Sequence, residues 1–84
     1  MSINTLIPLL HNKNFMILVN LLNTQSSVSL NISNANVKID EGCLFIENMD
    51  RSNIFVDLGA IQSIGENNEG YIIKTDEMEI NINR

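Results

Sequence analysis

Residues 37–58 read VKIDEGCLFIENMDRSNIFVDL and contain two successive hairpin signals. The pair Glu41-Gly42 has the composition of a two-residue turn, in which glycine supplies a positive φ. This turn places Ile39 opposite Leu44 on paired strands. Side chains alternate between the two faces of a strand, so the aliphatic residues share one face. The second face carries Lys38, Asp40, Cys43, Phe45 and Glu47.

A third strand follows the polar loop Asn48 to Asn53. A loop of this length keeps the parity of the alternation, so Ile54 and Val56 join the aliphatic face. Phe45 and Phe55 become neighbours on the second face. We expect a helix or a curled sheet to cover this aromatic pair, with a binding patch as the alternative. Phe45 and Phe55 are also a possible second interface, in addition to the acidic residues named below. A homodimer could form there, edge to edge or face to face.

The N-terminal third predicts a helix followed by a hairpin. Residues 2–11 have a broad apolar face and a cap at Ser2 or Thr5, with Pro8 either in the first turn or bending the helix. Residues 15–22 fit either a helix or a strand buried on both faces. A turn at Thr24-Gln25 would pair Ile17 with Ile32, Val19 with Leu30 and Leu21 with Val28, and this pairing favours the strand.

Three further elements complete the predicted chain path. Asn34-Ala35 can turn residues 28–32 back so that Ile32 faces Val37. Ile61 and Ile64 have the spacing of one helical turn against the core. The last hairpin turns at Asp76-Glu77, where Lys74 stands opposite Glu79.

These elements predict an α+β fold in which a short N-terminal helix packs on a strongly curled antiparallel β-meander of six or seven strands. The chain has 84 residues, so we expect residues 1–84 to form a single domain.

Charge and composition narrow the classes of function. The net charge is −5, and the five basic residues are scattered singly, which disfavours direct binding of nucleic acid. An acidic surface is attracted to a larger protein with a basic surface. The single cysteine forms no intramolecular disulfide, which favours the cytoplasm. No apolar run is long enough for a membrane span, so no membrane partner is expected.

Acidic turns provide the predicted partner-binding residues. In a meander, successive turns alternate between the two ends of the sheet, which brings Asp40, Glu41, Glu66 and Glu69 to one end. We expect neither a metal site, because calcium-loop spacing is absent, nor a cofactor. His11 and Cys43 lie on separate elements, so we expect no catalytic residues and no enzymatic activity.

The opening MSINTLIPLLHNKNF resembles the start of small phage-encoded anti-CRISPR proteins, which block a CRISPR effector nuclease. The matching positions are Met1, Ile3, Asn4, Leu6, Ile7, Asn12 and Lys13. The resemblance covers under a fifth of the chain and implies an inhibitor in the cytoplasm of the host cell. The family member binds through dense acidic loops that imitate DNA phosphates. This chain has no comparable acidic run, so no functional residue carries over.

An alternative interpretation assigns the chain to a different class of protein. A small curled sheet behind an N-terminal helix is similar to Sm-like barrels, which assemble into rings and bind RNA. That resemblance implies an oligomerising module with a structural or RNA-related role. The scarcity of Lys and Arg argues against it.

Overall fold

One helix precedes seven strands in the computed structural model, which describes residues 2–10, 13–22, 28–48 and 53–84. A short 3-10 helix, Leu58–Ala60, separates the fourth strand from the fifth. In chain order the other elements are α1 (Ile3–Leu10), β1 (Phe15–Leu21), β2 (Val28–Asp40), β3 (Cys43–Glu47), β4 (Asn53–Asp57), β5 (Ser63–Glu66), β6 (Gly70–Lys74) and β7 (Met78–Asn83).

All seven strands form one antiparallel sheet in the order β4-β3-β2-β1-β7-β6-β5. The first four strands and the last three are each consecutive neighbours, and β1 pairs with β7 to join the two groups. The predicted α+β class, with a short helix on a sheet of six or seven antiparallel strands, is confirmed. The edge strands β4 and β5 are linked through the 3-10 helix.

Strand β2 is shared between the two halves of the sheet. Its first part pairs with β1, from Val28 to Ala35, and its second part pairs with β3, from Asn36 to Asp40. The register shifts where the two parts meet, and Asn34 there has a φ of 54°. The predicted turn at Asn34-Ala35 is therefore wrong. Asparagine tolerates the left-handed region in a bulge as well as in a turn, so its presence does not separate the two.

The sheet curls around its aliphatic face. The molecule measures 35 × 30 × 28 Å, whereas a flat sheet with one helix layer would be about 20 Å thick. Fully buried side chains come from α1 and from most strands, including Leu44 and Ile46 of the central hairpin. The other large ones are Leu6, Leu10, Ile17, Val19, Ile73, Ile80 and Ile82.

Helix α1 packs against β2 and closes the core. Leu6 and Leu10, one turn apart, are completely buried, so α1 covers the inner face of the sheet. Ser2 is the N-cap, because its carbonyl oxygen accepts from the N–H groups of Thr5 and Leu6 at 3.1 Å each. Pro8 lies inside the helix on its exposed side. Among the described residues, no helix is long and apolar enough to cross a membrane.

Strand β1 settles the ambiguity of residues 15–22. Ile17 pairs with Ile32, Val19 with Leu30 and Leu21 with Val28, as predicted. The predicted turn at Thr24-Gln25 lies outside the described residues, and so does His11, the last residue of the predicted helix.

The C-terminal half contains one correction and one confirmation. The predicted helical turn at Ile61 and Ile64 is wrong. Ile61 is extended, and Ile64 lies in β5, where it pairs with Ile73 of β6. An i,i+3 spacing does not exclude a strand, and the pairing with β6 decides between them. The last hairpin is confirmed, with Lys74 opposite Glu79 and an Nζ to Oε2 distance of 3.9 Å.

Candidate partner-binding surfaces

The turn between β2 and β3 carries the first two predicted contact residues. Glu41 has a φ of 51° and Gly42 a φ of 77°, which is the geometry of a type I′ turn. Asp40 and Glu41 are both exposed. The turn therefore holds two carboxylates in solvent on a rigid hairpin.

An aromatic pair lies beside this turn, on the side of the sheet away from the core. We call this side the outer β2–β4 face; its described residues are Asn36, Lys38, Asp40, Cys43, Phe45, Glu47, Phe55 and Asp57. The rings of Phe45 and Phe55 have centroids 6.3 Å apart, within the range of favourable aromatic pairs. Phe55 is 69% exposed and Phe45 is half-buried.

The expected cover over this aromatic pair is absent from the described part of the chain. Helix α1 packs on the opposite, inner face through Leu6 and Leu10, and the curl of the sheet also encloses that inner face. Phe55 therefore stays in solvent on an edge strand. Nothing in the local sequence around residue 55 specifies which face the distant helix covers.

Charged groups surround the aromatic pair. Lys38 lies opposite Phe45 and forms an ion pair with Glu47, with an Nζ to Oε1 distance of 3.3 Å. At the end near the turn, Asp40 and Asp57 are the cross-strand neighbours of Cys43. The Asp57 carboxylate also accepts from the N–H of Gly59 at 2.9 Å, which caps the 3-10 helix. The outer β2–β4 face thus combines an apolar centre with an acidic end.

The turn between β5 and β6 carries the other two predicted contact residues, Glu66 and Glu69. Asn67 orders this turn, because its Oδ1 accepts from the N–H groups of Glu69 at 2.8 Å and Gly70 at 2.9 Å. Arg84 Nη2 donates to the Glu66 carboxylate at 2.6 Å. The sequence places no basic residue in these loops, but the end of β7 supplies one and offsets the charge of Glu66.

The two acidic turns open at the same end of the sheet. Each pair of neighbouring strands is antiparallel, so β2 and β5 run in the same direction and the turns that follow them lie at one end. Strands β1 and β7 lie between β2 and β6 and separate the two turns. Within the described ranges, no group of three or more His, Cys, Asp or Glu side chains could hold a metal ion.

Most of the described basic side chains are already paired with carboxylates. Lys38 pairs with Glu47, Lys74 with Glu79 and Arg84 with Glu66. Lys13 is exposed, and Arg51 lies outside the described residues. The described surface therefore offers no cluster of basic groups that could neutralise several phosphates.

A cleft of about 470 Å³ lies beside the end of α1. Arg84 lines it and places its guanidinium 5.0 Å from the centroid of the Tyr71 ring. Leu9, Lys13, Asn14 and Phe15 complete the lining. Sequence reasoning missed this contact, although the register that pairs Gly70 with Asn83 brings residues 71 and 84 close together.

The described residues include one cysteine and no histidine. Cys43 is a free, half-buried thiol on the outer β2–β4 face, and the single histidine, His11, lies outside the described residues.

Comparison with known proteins gives no match. No family model fits the chain, and neither the curated proteins nor the solved structures show a significant similarity to it.

Proposed function

We propose that this chain is a non-enzymatic binding protein that docks its outer β2–β4 face, with the neighbouring acidic turn, on a larger protein with a basic surface. The observation that carries the proposal is the 69% exposure of Phe55 beside Phe45. A large aromatic side chain in solvent is costly, and aromatic residues are the commonest energetic anchors of protein interfaces.

The acidic groups beside the aromatic pair support a basic partner. Asp40, Glu41 and Asp57 lie at one end of the outer β2–β4 face, and the chain as a whole carries −5. This field speeds the encounter with a positive surface and weakens as salt shortens the Debye length to about 8–10 Å. Glu66 and Glu69 add to the long-range attraction, but the ion pair between Arg84 and Glu66 reduces the contribution of Glu66.

The resemblance of residues 1–15 to anti-CRISPR proteins suggests the class of the partner. Nucleases guided by RNA hold their nucleic acid in basic channels. We therefore propose a phage-encoded inhibitor acting on a nucleic-acid-handling effector in the host cytoplasm. Binding would be through the protein surface of the effector and not through nucleic acid.

The test starts with capture of the partner from the source cell, with and without phage infection, and continues with the purified pair. The Phe55→Ala variant is expected to weaken binding by about 1–4 kcal/mol, as for an interface anchor. Met16→Ala is the matched control, because Met16 is 56% exposed on β1, away from the proposed face. Equal affinity of both variants and the parent would reject the aromatic anchor.

Charge reversal at different turns tests the acidic contribution, because each double variant changes the net charge of the chain by the same amount. Asp40→Lys with Glu41→Lys is expected to weaken binding and to reduce its salt dependence. Asp76→Lys with Glu77→Lys changes the net charge equally at the opposite end of the sheet and serves as the control. Glu66→Lys with Glu69→Lys is expected to have an intermediate effect. If the three double variants behave alike, the acidic groups act only through net charge.

A further inference from the structure

We infer that β4 pairs edge to edge with β4 of a second copy of this chain, antiparallel and centred on Phe55. The pairing would join two outer β2–β4 faces into one larger surface. The inference rests on the backbone of β4 and stands independently of the proposed partner.

The hydrogen bonds around the central turn show which backbone groups of β4 are free to pair. The N–H of Leu58 donates to the carbonyl of Gly42 at 3.0 Å, so even-numbered residues form the hydrogen-bonded pairs between β3 and β4. Ile54 and Val56 therefore point their backbone groups toward β3. The N–H and C=O groups of Phe55 point away from β3, toward the outer edge of the sheet.

Within the described residues, the β4 edge lacks three of the features that usually prevent pairing. Strand β4 has the sequence NIFVD, without proline or lysine, and its register with β3 has no bulge. Natural edge strands are usually protected by such residues or irregularities. The exposed side chain of Phe55 marks the middle of this edge.

The sequence of β4 complements itself about Phe55. In an antiparallel pair related by a two-fold axis, Phe55 lies opposite Phe55 of the second copy and Ile54 lies opposite Val56. Asp57 then faces Asn53 and not another Asp57, which avoids like charges. A pair centred on Asp57 would place two carboxylates opposite each other and use only part of the strand.

The second copy also continues both faces of the sheet. Ile54 and Val56 belong to the inner face in each copy, so the parity of the side chains is preserved across the junction. On the outside, Phe45 and Phe55 of the two copies form a row of four aromatic rings. Two-fold symmetry closes the assembly at two chains, because each copy contributes its single β4 edge.

Disulfide trapping tests this register. In a Cys43→Ser background, Phe55→Cys places the two thiols in a hydrogen-bonded pair with a Cα separation of about 5.5 Å, suitable for a disulfide. Phe45→Cys is the matched control in the same row, where three strand spacings separate the copies by about 14 Å. Mild oxidation is expected to convert the Phe55→Cys variant to a covalent dimer. The Phe45→Cys variant is expected to form no such dimer. Equal cross-linking of both variants, or none at residue 55, would overturn the inference.

Light scattering provides a second measurement without cysteine variants. The chain is expected to approach twice its 9.4 kDa mass as its concentration rises. Phe55→Pro removes the outward N–H and is expected to abolish that rise while the circular dichroism spectrum is retained. A parent chain that stays monomeric at its highest attainable concentration would contradict the pairing. Neither measurement involves the proposed partner, so the two proposals can fail separately.

Discussion

Arg84 contacts residues of both β5 and β6 at one end of the sheet: its guanidinium donates to Glu66 at 2.6 Å and lies 5.0 Å from the Tyr71 ring centroid. Arg84 and Glu66 are half-exposed while Tyr71 is buried, and ion pairs and cation–π contacts made by an exposed cation each contribute about 0–1 kcal/mol. We expect Arg84→Gln to lower the free energy of unfolding by about 1 kcal/mol. Urea denaturation measures this, with Lys13→Gln as the control for loss of one positive charge. The backbone N–H of residue 84 donates to the Glu69 carbonyl in both the parent and the variant, so a loss much larger than this would show that the Arg84 side chain contributes more than these two surface contacts.

Gly70 is expected to tolerate no side chain. Its φ is 156°, and a Cβ there would overlap the carbonyl oxygen of Ile82 on the neighbouring strand. We expect Gly70→Ala to destabilise the fold by about 3 kcal/mol or more. Gly65→Ala is the control, because a Cβ at residue 65 meets nothing within 4 Å and alanine loses less entropy on folding. The midpoint temperature of thermal unfolding should fall for Gly70→Ala, and it should rise or stay unchanged for Gly65→Ala.

Glu41 occupies a position better suited to asparagine. Its φ of 51° lies in the left-handed region, where a type I′ turn favours Asn before Gly. We expect Glu41→Asn to raise the free energy of unfolding by about 0.5–1 kcal/mol. Glu77→Asn removes the same charge from the other hairpin, where no positive φ occurs, and should give no comparable gain. Similar gains in both would point to reduced charge repulsion instead.

Thr75 is a buried polar residue that orders the turn between β6 and β7. Its Oγ1 accepts from the N–H groups of Glu77 and Met78, each at 3.1 Å. Thr75→Val leaves both donors without this acceptor and is expected to cost about 1–3 kcal/mol in chemical denaturation. Thr75→Ser keeps the oxygen and should recover most of that loss. If Ser and Val are equally destabilising, packing of the methyl group is the dominant contribution.

Local patterns in the sequence determined most of the strand pairing. The turn at Glu41-Gly42 sets the register of β2 with β3. The alternation of side chains, which continues through Val56, sets the register of β3 with β4. The β1–β2 and β6–β7 registers followed in the same way. Hairpins are predictable because turn chemistry and the two-residue period act within a few residues of each other.

The candidate site was predicted in part. The pairing of Phe45 with Phe55 followed from strand parity, but the exposure of Phe55 depends on which face α1 covers. Likewise, Asn34 signalled a departure from regular strand geometry, yet whether the chain turns or bulges there depends on the neighbouring strands.

The sequence by itself determined the α+β class, the hairpin registers and the acidic character of the turns, because these depend on neighbours along the chain. Only the tertiary structure decided that β1 pairs with β7, that α1 covers the inner face, and that Arg84 reaches Glu66. These contacts join residues far apart in the chain, and their free energy comes from burying apolar surface from several strands at once. No single stretch of residues carries a signal for a contact of that kind.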